Sequence, residues 1–452
     1  MGLFFGTDGL RGKLDSGLSP EIAFRCANAL ASVDKSKTQK IIIGTDTRKT
    51  CDLLMLMFAS GAMCAGADVT IVNVCPTAGI GFLTKEKGFD FGVVISASHN
   101  PAEYNGIKIF NSQGVKPSED FEREIEKRML ELNRVSFERI GRLKTDYSLL
   151  SDYENFLKNI TKTELNKNKI IDFSGLRVVL DTANGSASNI APKIFEELGA
   201  SVFVLSNQPN GLNINQNCGS LYIQNLKQKV LETNADIGFA FDGDSDRVIA
   251  IDDKGNIIDG DQIIYIFANY YLKNNQLENK TVVGTVHTNG GIEKELNKIG
   301  ISLIRTDVGD KFVGEALEKH NLLIGGEQSG HIFVKDKLQT GDGILNALML
   351  CVILKIHQKP MSQIYKIKLF KQTNINIKVA DKHKVLANIN SDIDLIRKEN
   401  ANKARVLVRA SGTEQVIRIM TESEDEKISK QIAEKIKNII EKQDKGDCLC
   451  VE

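Results

Sequence analysis

Three times along the chain a short apolar run ends in a turn of Gly, Thr, Asn or Asp and then enters a helical pattern. The runs are Lys40-Ile-Ile-Ile-Gly44, Leu176-Arg-Val-Val-Leu180 and Lys280-Thr-Val-Val-Gly284. Each is followed by a second strand-like run, at 69–74, 201–205 and 301–304. Strands alternating with helices predict βαβ units and parallel or mixed sheets. The spacing is domain-sized, far beyond solenoid repeat periods, so it reads as three similar α/β domains. The end of the chain changes period. Residues 371–379 alternate polar and apolar, and 404–408 and 416–420 form further short strands. A helix from about Glu424 then carries Ile428, Ile432, Ile436 and Ile439 on one face, with Ser423 and Glu426 spaced as a capping box. This predicts a smaller C-terminal α+β domain. The expected domains are 1–150, 151–255, 256–368 and 369–452. The longest apolar stretch, 53–67, is too short to span a bilayer and is flanked by Asp52 and Asp68, so it reads as a buried helix.

Composition narrows the class. Of 452 residues, 42% are hydrophobic and 26% charged, as in an ordinary globular protein. Lys+Arg and Asp+Glu both number 58, which supports neither a nucleic-acid partner nor a membrane surface. Eight scattered cysteines predict reduced thiols rather than a disulfide framework. Cys448 and Cys450 form a C-x-C tail without partner ligands and read as a loose terminus. Gly6-Thr-Asp-Gly9 interrupts the apolar start, against a signal peptide, and Gly6 stands where myristoylation wants Ser or Thr. A cytoplasmic protein is expected; a homodimer is allowed by the sequence but not written in it.

Candidate chemistry lies where apolar runs break. Phe91-Gly-Val-Val-Ile95 reads as a buried strand, and Ser96-Ala-Ser98-His-Asn-Pro101 as the shaped loop after it. A serine there suits a nucleophile or a phosphate carrier, although such a turn alone is usually only a turn. Downstream, Asp242-Gly-Asp244-Ser-Asp246-Arg247 is pinched between the apolar runs 237–241 and 248–251. Three carboxylates at that spacing repel unless a cation joins them, and all-oxygen ligands suit Mg²⁺. An EF-hand is excluded by Arg247 at its glycine position and by the strand-like flanks. Arg247 can reach a substrate phosphate. Arg409-Ala-Ser411-Gly412-Thr413 with Arg418 combines a permissive glycine, hydroxyl donors and guanidinium forks, the ingredients of a phosphate-binding loop. Glu327 and Ser329, in Gly325-Gly-Glu-Gln-Ser-Gly-His331, suit sugar hydroxyls. Arg11 lies in a Gly-bounded opening loop. Lys108 is ten residues past Ser98, near enough to share its pocket. His99 reads as a base or, more commonly, a loop-orienting residue.

In combination these motifs resemble the α-D-phosphohexomutase superfamily, over essentially the whole chain and in order: Gly6-Thr-Asp-Gly-Leu-Arg11, Ser96-Ala-Ser-His-Asn-Pro101, Asp242-Gly-Asp-Ser-Asp-Arg247, Gly326-Glu-Gln-Ser-Gly330 and Arg409-Ala-Ser-Gly-Thr-Glu414. Within it the chain is most similar to the branch working on glucosamine phosphates, through Asn213-Ile-Asn-Gln-Asn-Cys-Gly-Ser220, Val308-Gly-Asp310 and Gly326-Glu-Gln-Ser-Gly-His331. It departs at Leu221-Tyr222 (usually Thr-His), Lys311 (usually Arg), Gln415 (usually Pro) and Ser245 (commonly Gly).

The resemblance implies three α/β domains and a smaller α+β domain around a central cleft. It implies a phosphorylated Ser98, and Mg²⁺ held by Ser98, Asp242, Asp244 and Asp246. Glucosamine 6-phosphate and glucosamine 1-phosphate would interconvert through a glucose or glucosamine 1,6-bisphosphate. Lys108 and Arg11, with His99 in support, would assist charge and proton movement. Arg247, Arg409, Ser411, Gly412, Thr413 and Arg418 would hold phosphate, and Glu327 and Ser329 sugar hydroxyls. Two alternatives stay open: a phosphomannomutase or phosphoglucomutase, and a non-catalytic metal-binding phosphoprotein.

Overall fold

The computed structural model describes residues 4–6, 8–34, 36–132, 139–365, 367–411 and 415–448, with side chains to Asp444. Two compact units result: Met1–Thr285 with Thr306–Lys366, and Val286–Arg305 with Ile367–Glu452. The expected α/β class with mixed sheets is observed.

The first sheet of the larger unit has seven strands, in the order Phe5–Gly6, Gly9–Lys13, Tyr104–Asn111, Phe91–Ile95, Lys40–Thr45, Asp68–Val74 and Leu143–Thr145. Lys40–Thr45 runs parallel to both Asp68–Val74 and Phe91–Ile95, and Ile41, Ile42 and Ile43 are wholly buried, as a strand covered on both faces requires. Phe91–Ile95 pairs antiparallel with Tyr104–Asn111, placing Val94 opposite Lys108. The second sheet has the order Ile257–Ile258, Val248–Asp252, Ile237–Phe241, Arg177–Asp181 and Ser201–Leu205. Its register pairs Phe241 with Val248, so residues 242–247 are a hairpin loop between two buried strands. Thr281–Thr285 runs parallel to Ile324–Gly326, which turns through 327–331 into the antiparallel Ile332–Val334.

In the smaller unit Lys371–Lys378, Val416–Ser423 and Ala404–Ala410 form an antiparallel sheet. Helices Lys382–Asn400 and Glu426–Cys448 supply Val385, Ile389, Ile393, Ile396, Ile432, Ile436 and Ile440 to its core. Val286–Arg305 joins this unit because the Arg405 guanidinium donates to the carbonyls of Val286 (2.8 Å) and Thr288 (2.9 Å), and the Gly290 N–H donates to Glu422 (3.0 Å).

Two local expectations are corrected. The capping box from Ser423 to Glu426 does not form: the Ser423 hydroxyl donates to the Lys403 carbonyl, and Asp425 caps the helix by accepting the Lys427 N–H at 2.9 Å. The apolar stretch 53–67 is not a wholly buried helix. The helix is Cys51–Cys64; Leu54 and Phe58 face the core, but Leu53 and Leu56 are 47% and 52% exposed. Among the described residues no helix is long and apolar enough to cross a membrane.

Candidate active site

Chain breaks at strand ends bring the larger unit's candidate residues together. Ser98 follows Phe91–Ile95, is buried, and has a left-handed backbone (φ +53°). That region costs a non-glycine residue roughly 1–2 kcal/mol, so the loop must be held from outside. Its N–H donates to Ser96 Oγ at 2.9 Å, and the Ser96 hydroxyl donates to Asp46 at 2.6 Å. The Ser98 hydroxyl points across the site and donates to Asp242 Oδ2 at 2.5 Å.

Asp242, Asp244 and Asp246 are all buried, and each offers an oxygen within 4.8 Å of the others. Asp244 Oδ1 and Asp246 Oδ1 are buried without a hydrogen-bond partner. Buried acceptors left open in this way fit a divalent cation, which takes oxygen ligands and removes their mutual repulsion. The imbalance is visible in Asp242. Burial, then the charges of Asp246 and Asp244, hold its carboxyl well above the usual range, against the opposing pull of Arg247 and the Ser98 hydroxyl.

The other oxygens face a cation of the chain itself. Lys108 Nζ is 2.7 Å from Asp244 Oδ2, 2.9 Å from Asp246 Oδ2 and 3.1 Å from Asp8 Oδ2. At 1% exposure this is no surface lysine. Burial disfavours its charge, but Asp244, Asp246 and Asp8 outweigh that and raise its pKa well above normal. Asp246 is displaced well down: burial opposes, but Lys108 and His331 prevail. Asp8 is also held low, by Lys108, Lys116 and Arg11 against its burial. Asp8 reaches this position because Gly9 (φ +76°) backs onto the neighbouring strand, where a Cβ would lie 2.3 Å from the Ile107 carbonyl oxygen.

Around this centre, Arg11 pairs with Asp8 and donates to the Ala97 carbonyl at 3.4 Å. His99 Nδ1 is 3.3 Å from Ser98 Oγ; burial, then Arg247 and Arg11, push its pKa down to about 4, so it is a neutral imidazole. The Arg247 N–H donates to Asp242 at 3.2 Å, and its guanidinium lies 3.8 Å from Asp246. Glu327 accepts the Gly309 N–H at 3.0 Å, and Ser329 is exposed in the same hairpin loop. In the smaller unit Arg409 and Arg418 face each other across paired strands, and Arg409 lies 3.1 Å from His287 Nε2. Burial and the neighbouring Arg418 lower the Arg409 pKa. Ser411 is buried, with its N–H on the Val416 carbonyl at 2.8 Å; Gly412 and Thr413 lie outside the described residues.

Sequence reasoning gave no role to several residues found here. Thr77 donates its hydroxyl to Asp244 Oδ2 at 2.6 Å and its N–H to the Asp244 carbonyl at 2.9 Å. His331 is buried 3.6 Å from both Asp246 and Asp310. Burial lowers its pKa, but Asp246 and Asp310 reverse the sign and raise it. Lys116 bridges Asp8 and Asp310. Asp8, Asp310 and His331 stood in the quoted motifs; Thr77 and Lys116 had no local signal.

Helix Gly343–His357 supports the acidic loop from behind, its Gly343 N–H donating to the Ser245 carbonyl at 2.9 Å. Its cap, Asp342, is buried, accepts the Leu345 N–H at 3.0 Å and the Tyr153 hydroxyl at 2.7 Å, and is pushed up by burial from 3.8 to about 6. A carboxyl raised in the folded state stabilises most below pH 3.8, and that contribution is lost as pH rises through about 6. Asp342→Asn keeps the cap without the charge. It should raise stability by about 1–3 kcal/mol at pH 8 and by little at pH 4, checked by thermal melts at both.

Four phosphoglucomutase/phosphomannomutase family profiles match in order: α/β/α domain I over residues 2–135, domain II over 152–255, domain III over 259–370, and the C-terminal domain over 375–439. A phosphoglucosamine mutase of Carboxydothermus hydrogenoformans is 42% identical over 450 residues, covering 98% of this chain and all of that one. Among solved structures, a phosphoglucomutase/phosphomannomutase family protein of Burkholderia thailandensis has the same fold: TM-score 0.81, 22% identity, 98% and 97% of the two chains. An Aspergillus fumigatus N-acetylphosphoglucosamine mutase, solved with GlcNAc-6P and magnesium, superposes with a TM-score of 0.67 at 17% identity over 98% and 96%. With this similarity running the full length of both sequences, the chain belongs to the phosphoglucosamine mutase family of the phosphohexomutases.

Proposed function

We propose that the protein interconverts glucosamine 6-phosphate and glucosamine 1-phosphate, with Ser98 as the covalent phosphate carrier and a 1,6-bisphosphate as intermediate. The observation that carries this reading is the Ser98 hydroxyl 2.5 Å from Asp242, beside two carboxylates with open buried oxygens. Asp242, Asp244 and Asp246 would hold Mg²⁺ with an oxygen of the phosphorylated serine. The relative from Aspergillus was solved with magnesium. When bound, the ion supplies charge neutralisation for phosphoryl oxygens.

This chain's residues do the rest. In the first half, a sugar hydroxyl attacks the phosphorus on Ser98; its O–H bond breaks, a new P–O bond forms, the Ser98 P–O bond breaks, and the released proton ends on Ser98 Oγ, restoring its hydroxyl. Lys108, Arg11 and Arg247 place fixed positive charge around the transferring group. The neutral His99 can accept a proton near Ser98 Oγ, and the buried His331 can hold one behind Asp246. The second half reverses these steps with the other phosphate of the turned bisphosphate. Arg409, Ser411, Gly412, Thr413 and Arg418 grip the phosphate that is not reacting, while Glu327 and Ser329 grip hydroxyls that stay similar after the turn. Charge-assisted hydrogen bonds at about 1.5–3 kcal/mol each suffice to retain the bisphosphate meanwhile. A cytoplasmic setting is part of the proposal, in keeping with the free thiols of Cys26, Cys51, Cys64, Cys75, Cys218 and Cys351.

A panel of glucosamine, glucose and mannose 1-phosphates tests the substrate. The highest kcat/KM is expected for glucosamine 1-phosphate; a preference for glucose or mannose would assign one of the other mutase activities. Asp244→Ala should lower the rate about 10²–10³-fold and raise the magnesium concentration needed for half-maximal activity. Unchanged kinetics would remove the metal assignment.

A further inference from the structure

Ser98 holds a strained backbone, and two side chains the reaction itself does not use hold it there. Arg48 is fully buried, with Nε 2.9 Å from Asp46. Its guanidinium donates to the carbonyls of Ser98 (2.9 Å), Asn100 (2.8 Å) and Pro101 (2.5 Å). Asn215 Nδ2 donates to two of the same carbonyls, Ser98 at 2.8 Å and Asn100 at 3.0 Å. Asn215 is itself left-handed (φ +57°), buried, and fixed by its N–H on the Ala183 carbonyl at 2.9 Å. Gly243 packs beneath, where a Cβ would stand 2.6 Å from the Ser98 carbonyl oxygen and 3.0 Å from Asn215 Nδ2. Five hydrogen bonds from three donor nitrogens on two distant segments therefore converge on three carbonyls of the turn that carries Ser98 Oγ.

We propose that Arg48 and Asn215 are positioning residues that lock the Ser98 loop against the acidic loop, fixing the carrier oxygen for both phosphoryl transfers. The inference rests on the reading of Ser98 as carrier. It reassigns Asn215 from a marker of sugar preference to a determinant of the transfer step. Misplacement of a reacting atom by about 1 Å costs on the order of 10²-fold in rate while leaving ground-state binding intact. Thr47 provides a control, since it neighbours Arg48 but its hydroxyl donates to the Asn184 carbonyl at 2.5 Å rather than to the Ser98 loop.

The experiment compares full-length wild type, Asn215→Ala, Asn215→Asp, Arg48→Lys and Thr47→Val. It measures kcat and KM for glucosamine 1-phosphate, and backbone hydrogen exchange of residues 96–104. The Asn215 and Arg48 variants should lose about 10²-fold in kcat with KM within about twofold, and exchange faster in that peptide. Asn215→Asp keeps the shape of the side chain, so it serves if the alanine variant folds poorly. Thr47→Val should keep kcat and protection. Unchanged protection and kcat in the Asn215 variants, or an equal loss in Thr47→Val, would overturn the proposal. Absence of turnover in wild type would instead refute the carrier reading, and the exchange arm would still report on the loop.

Discussion

Ser98→Ala is expected to reduce turnover by at least about 10⁴-fold, to background, because a covalent carrier has no substitute among the neighbouring groups. Its fold should survive. The side chain contributes only its hydroxyl contacts, to Asp242 and to His99 Nδ1, while the backbone at φ +53° is held by Ser96, Arg48 and Asn215. Ser98→Gly sharpens the prediction, since glycine occupies the left-handed region freely. That variant should be as inactive as the alanine, yet more stable by about 1 kcal/mol. A serine kept where glycine would be more stable marks strain retained for chemistry. The check pairs a coupled assay with thermal unfolding. Residual activity above background in either variant would remove Ser98 from the mechanism.

Lys108→Met is expected to have the second largest effect. Lys108 sits among Asp8, Asp244 and Asp246, and removing one partner of a buried ion pair costs about 3–5 kcal/mol. Activity should fall about 10²–10³-fold, the usual range for losing a fixed charge at a transferring group. The informative part is the response to magnesium. With Lys108 gone the acidic loop carries uncompensated charge, and a divalent ion that binds only the folded state stabilises it by mass action. The variant should therefore gain more in thermal midpoint than wild type when magnesium replaces a chelator. An equal gain in both would mean that Lys108 and the cation do not share these carboxylates.

The fold was legible where period and punctuation agreed. Lys40–Thr45 and Arg177–Asp181 announced themselves as buried runs between turn residues, and Lys371–Lys378 as an alternating strand. Loops at the ends of such runs were legible as site candidates because three carboxylates, or a serine followed by His-Asn-Pro, are more than an ordinary turn between apolar strands needs. Ser98 and Asp242, 144 residues apart, do meet. What the sequence hid was register and long-range pairing. Ten residues separate Lys108 from Ser98, but only the antiparallel register with Val94 places the amine at the strand's active end. Lys116 and Asp310 are 194 residues apart, and neither has a local pattern that names the other. Ser423 shows the converse failure: its spacing from Glu426 was right for a capping box, but the Lys403 carbonyl took the hydroxyl and Asp425 took the cap.

The most direct test is to load the protein with a hexose 1,6-bisphosphate and magnesium, map the phosphorylated residue by mass spectrometry, and then add glucosamine 1-phosphate. One phosphoryl group on Ser98, lost to the sugar on addition, is the predicted result. A phosphate found elsewhere, or one on Ser98 that no sugar phosphate discharges, would contradict it.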